Sequence, residues 1–158
     1  MTLVSRVLHI LGAIVLLGGI AYLRKIVAPG VAAGGDPDGA ALYSGRRRAW
    51  AKWVGIATAV LLITGFYNFL MIVNTTADLP RAYHPLFGVK FLLALVVFAL
   101  AALLAGKTSA AERFRQSPKW WLTLCLAAGI ATVIAGSVLR SLHLPVPVMV
   151  EAPAEAAE

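Results

Sequence analysis

The side chains that can do chemistry in this chain are few. There are three histidines, His9, His84 and His143. His9 lies just inside the first long apolar run, and His84 stands directly before Pro85 at the start of the third. His143 follows the fourth run, three residues after Arg140 and so on the same helical face. Imidazole is the commonest metal ligand. Three imidazoles at one membrane level can hold copper or zinc, and one or two can instead ligate haem iron. The plainer reading is that histidine, being amphipathic, sits comfortably at helix ends.

Lys90 is the other residue of interest. It lies six positions past His84, inside an otherwise lipid-compatible run. A cation within the bilayer costs at least ~2.5–3.5 kcal/mol on insertion scales, which makes it a functional candidate by default. One reading is a lysine that snorkels to the interface. The sharper one is a bundle-facing cation that receives an anionic group, such as a porphyrin propionate or a substrate carboxylate. Asn68 and Tyr67 fall at a comparable depth on the second run, and Arg140 closes the fourth.

Helical spacing places several of these residues on contact faces. On the first run His9, Gly12, Leu16 and Gly19 form one stripe. On the fourth, Ala128, Thr132 and Gly136 recur every four residues and Arg140 extends the row. Small residues at this spacing let helices approach closely. Thr64 and Asn68, four apart, are placed to bond to a neighbouring helix.

The elements that must hold these residues follow from composition. Of 158 residues, 60% are hydrophobic and only 13% charged. Soluble domains average about 25% charged, and so small a chain cannot hide this much apolar surface in one core. Four apolar runs each approach the ~20 residues that cross a hydrocarbon layer. No alternating strand pattern accompanies them. The expected fold is all-α: an integral membrane four-helix up-down bundle, with helices at about 5–27, 50–74, 85–106 and 119–142. Residues 1–145 form the transmembrane domain. The Pro/Ala/Glu-rich residues 146–158 form a disordered tail. The first run reads as a retained helix, because its stronger basic pair, Arg24 and Lys25, follows the apolar stretch.

Charge sets the expected orientation. The net charge is +7, which in a soluble protein would suggest nucleic acid. Here the cations cluster in loops, and no nucleic-acid partner is expected. Arg24, Lys25, Arg46, Arg47, Arg48 and Lys52 lie in the first connection, and Lys107, Arg113, Arg115 and Lys119 in the third. Only Arg6, Arg81 and Arg140 lie on the other side. Short basic loops stay cytoplasmic, so both termini should be periplasmic in a bacterial inner membrane, with the three histidines at the outer face. Trp50, Trp53, Trp120 and Trp121 fit the cytoplasmic interface. Residues 29–43 read as a Gly/Pro/Asp-rich cytoplasmic loop. The single cysteine, Cys125, reads as a small buried hydrophobe.

Several activities are absent from the sequence. It contains no phosphate loop, zinc-type Cys/His spacing, HExxH or nucleophile elbow. No acidic residue falls within an apolar run, which argues against a carboxylate-based ion pump.

The segment AWAKWVGIATAVLLITGFYNF, followed by AYHPLFGVKFLLALVVFALAALLAG, resembles the membrane unit of the copper-resistance protein D family. The matching residues are Thr64, Gly65, Phe66, Tyr83, Gly88 and Lys90. The first helix, with His9, Gly19, Tyr22, Leu23 and Lys25 or Arg24, is similar both to that family and to HemJ-type protoporphyrinogen oxidases, whose third-helix lysine would match Lys90. The resemblance implies a membrane protein with an outer-leaflet His/Lys site that handles haem b or copper. His9, Lys90, Arg140 and Asn68 would serve as cofactor-binding residues, and His9, His84 and His143 as metal ligands. It also implies a periplasmic partner; the other expected partners are the lipid bilayer and, in place of a periplasmic protein, a second copy of the chain in a homo-oligomer. The alternatives are a HemJ-like oxidase of protoporphyrinogen and a small structural subunit with no chemistry of its own.

Overall fold

The structure, a computed structural model, describes residues 2–29, 37–76, 79–106 and 118–143. Four helices account for nearly all of them. Helix α1 spans Leu3–Tyr22, opened by Thr2, whose hydroxyl accepts the Ser5 backbone N–H at 3.4 Å. Such a cap satisfies one of the donors that a helix start leaves without an intrahelical partner. The helix then continues into a π-helical turn, Leu23–Val27. Helix α2 spans Pro37–Thr75, α3 Tyr83–Ala105 and α4 Pro118–His143.

All four are long and apolar enough to cross a membrane, over Leu3–Val27, Arg48–Thr75, Tyr83–Ala105 and Lys119–Leu142. The expectation of an all-α, four-helix membrane bundle therefore holds. Each helix packs on its neighbours in sequence, and α1 closes the ring against α4. The α1–α2 and α3–α4 pairs are the most extensively packed, and α1–α4 touches least. Two antiparallel helical hairpins thus lie side by side.

One expectation needs correction. The stretch 29–43 is not a loop throughout, because α2 begins at Pro37 and reaches 39 residues. Proline suits a first helical position: it lacks an N–H that would have no intrahelical partner there, and its φ is already helical. At 1.5 Å per residue such a helix is about 58 Å long. The part long and apolar enough to span a membrane is Arg48–Thr75. Residues 30–36, the third-loop cations Lys107, Arg113 and Arg115, and the tail 146–158 lie outside the described residues, as does the His143 side chain.

The bundle is tightly filled at one end. Leu16, Ile20, Val54, Ala57, Val97, Leu100, Leu104, Leu122 and Cys125 form a buried core. The Cys125 thiol points at the Val97 carbonyl, 3.6 Å away. Trp50 lies across Gly19 at this end. Toward the other end, where His9 and Arg140 lie, the interior opens.

Candidate functional site

The opening is a cavity of about 530 Å³. Ligand pockets run about 300–1,000 Å³ and are mostly apolar with a few converging polar groups. This cavity fits that description. Phe66, Phe87, Phe91 and Phe98 supply aromatic wall, and five polar side chains line it: His9 from α1, Lys90 from α3, and Thr132, Ser137 and Arg140 from α4. Of the α1 stripe, His9 and Leu16 reach the cavity, whereas Gly12 and Gly19 pack on α2; Thr132, Gly136 and Arg140 of the α4 stripe line it.

His9 is held against α2. Its Nδ1 is 2.8 Å from Thr64 Oγ1, and that hydroxyl is 2.6 Å from the Val60 carbonyl. A carbonyl only accepts, so the single Thr64 hydroxyl proton goes to Val60. The Thr64 oxygen then accepts from His9 Nδ1–H. The tautomer is thereby fixed, and Nε2, on the far side of the ring, keeps its lone pair. Gly65 completes the berth, because a Cβ there would stand 3.3 Å from His9 Cε1.

Lys90 does not run straight to the interface. Its side chain crosses to α4 and lies over Gly136, where a Cβ would meet Nζ at 3.3 Å and Cε at 3.4 Å. Glycine at 136 therefore gives the ammonium its place on the cavity wall. Among the described residues Lys90 has no hydrogen-bond or ion-pair partner. All seven carboxylates of the chain lie outside the four spans. Among the described residues the cavity therefore carries two cations and no anion.

Asn68 belongs to a different cluster. It is buried, and its Oδ1 accepts from Ser5 Oγ at 2.9 Å, which pins α2 to α1 one turn away from the His9–Thr64 bond. It does not line the cavity. Both residues of the Thr64/Asn68 pair thus bond to α1. His84 is exposed at the start of α3, its ring edge-on to Tyr83 and Phe69 at 5.9 and 6.2 Å between centroids. Among the described residues no group of three or more His, Cys, Asp or Glu side chains could hold a metal ion. Sequence reasoning missed Thr64 as the residue that orients His9. Its spacing to Asn68 marked a helix-contact face but not which partner each residue would meet.

Fold and site define a four-helix membrane bundle with a cationic, aromatic-walled cavity. Searches against protein-family models, curated proteins and solved structures gave no match to this chain.

Proposed function

We propose that the cavity binds a tetrapyrrole of the haem type. The observation that carries this reading is the convergence of His9, Lys90 and Arg140, from three helices, on one apolar cavity that has no carboxylate among its described lining residues. An uncompensated cation at membrane depth is costly, and a ligand carrying carboxylates removes that cost. A free Nε2 lone pair, two cations placed for propionates and phenylalanine walls for a flat macrocycle suit haem b. His9, held by Thr64, would bind the iron. Lys90 and Arg140 would hold the propionates, and Phe66 and Phe91 would exclude water. When bound, the iron would supply a redox-active centre.

Copper is less well served, because among the described residues a single imidazole, that of His9, lines the cavity. On this reading the resemblance to the copper-resistance D type is one of membrane scaffold, not of copper chemistry. The loop cations support a bacterial inner-membrane orientation with both termini periplasmic, which puts the cavity in the outer leaflet.

The test is to purify the protein from cells supplied with a haem precursor, then record its visible spectrum and its iron and copper content. The reading predicts a Soret band with iron near equimolar to protein and no bound copper. Copper without iron would replace it with the copper reading. A protein free of both metals that oxidises protoporphyrinogen would place the tetrapyrrole as substrate instead.

A further inference from the structure

The seam between α1 and α4 is shut at one end and open at the other. Near the Trp50 end, Arg24 Nε donates to Thr123 Oγ1 at 2.7 Å. Farther along, Leu17 packs directly onto Gly129, leaving no room for a Cβ there. These contacts fix an antiparallel register, and continuing it brings Ala13 opposite Val133 and Ile10 opposite Gly136. At that level the two helices form the rim of the cavity. Ile10, Ile14 and Val133 line it and are also 49%, 61% and 50% exposed on the outer face of the bundle. The opposite seam, between α2 and α3, is filled at this depth by ring pairs: Phe66 on Phe91 at 5.3 Å and Phe69 on Phe87 at 3.9 Å.

A rim of isoleucine and valine at hydrocarbon depth passes an apolar body and rejects a hydrated ion. The cations lie past it, at Lys90 and Arg140. We infer that the slot between α1 and α4 is a lateral door, through which a membrane-dissolved amphiphile bearing a carboxylate passes from the hydrocarbon layer into the His9–Lys90 cavity. The inference rests on the anion-binding reading of the cavity. It adds the route and the physical state of the ligand, which is delivered by the bilayer and not by water.

The test uses palmitate with a terminal diazirine, dissolved in phosphatidylcholine vesicles holding the full chain, with adducts mapped by mass spectrometry after illumination. The door predicts adducts on the inner wall at Ala94, Phe98 and Thr132, together with the lipid-facing Leu92. In Ile14→Trp/Val133→Trp the inner-wall adducts should be lost while the Leu92 adduct stays, showing that the protein is folded and inserted. Each single tryptophan variant should show part of the loss, and Ile63→Trp, on the lipid face of α2, none. Inner-wall adducts missing from the wild type, or undiminished in the double variant, would overturn the door. Haemin occupancy measured on the same preparations reports separately on the haem reading. Absent haemin with door-dependent palmitate adducts removes haem and keeps the door, whereas bound haemin with door-independent adducts does the reverse.

Discussion

His9 donates through Nδ1 to Thr64 Oγ1 at 2.8 Å, across the α1–α2 interface, and Thr64 has already committed its own proton to the Val60 carbonyl at 2.6 Å. One threonine thus decides which nitrogen of His9 is left to meet a ligand. Were His9 to ligate the proposed haem, Thr64 would be the hydrogen-bond partner that fixes its ring, as such partners do for metal-bound histidines.

Thr64→Val keeps the shape of the side chain and removes that partner. Losing such a partner typically costs about 10–100-fold in affinity for the bound centre. Haemin titration in detergent should show weakening in this range, while Thr64→Ser, which keeps the hydroxyl, should stay near the wild type. Equal affinity in all three would mean that the bond only joins helices.

The place of Lys90 depends on a glycine. Gly136→Leu should push the Nζ off the cavity wall, since even a Cβ there would stand 3.3 Å from it. Haemin occupancy should fall while insertion into membranes is unchanged. Gly88→Leu, on α3 with open space around it, is the matched control and should leave occupancy alone.

Asn68 sits near the site without being part of it. Ser5→Ala leaves the buried Asn68 amide without its α1 partner, at a cost of about 0.6–2 kcal/mol for an interhelical hydrogen bond in a membrane protein. Unfolding in mixed micelles should show that loss, with haemin affinity unaltered. A matching fall in affinity would bring the Ser5–Asn68 pair into the binding site after all.

How much of this was legible in the sequence depends on which interactions set each feature. The four spans follow from the length and apolarity of their runs, which alone demand helices in a bilayer. The 3.6-residue period puts Thr132, Gly136 and Arg140 on one face of α4, and that face lines the cavity together with His9 of α1. The period gives a face but not the rotation and register of one helix against the next. Those come from packing, such as Leu17 on Gly129 and Trp50 over Gly19. Hence the Thr64–His9 bond, the Ser5–Asn68 pair and the reach of Lys90 to α4 emerge only in three dimensions. The early start of α2 was hidden because Gly39 and Gly45 lower local helix propensity.

The orientation assigned from loop cations is open to direct measurement. A reporter that matures only in the periplasm, fused after Glu158, should be active, and a cytoplasmic one at the same place silent. The reverse pattern would move the cavity to the cytoplasmic leaflet.

The most direct test of the central claim is haemin occupancy per purified protein for the wild type, His9→Ala and Lys90→Met, each shown to insert into membranes. The account predicts a bound Soret species in the wild type, loss of its axial-ligand signature in His9→Ala, and reduced occupancy in Lys90→Met that Lys90→Arg partly restores, since charge survives but the ammonium geometry does not. Equal occupancy and identical spectra in all of them would contradict it, leaving Lys90 an interfacial cation and the cavity a gap in the packing.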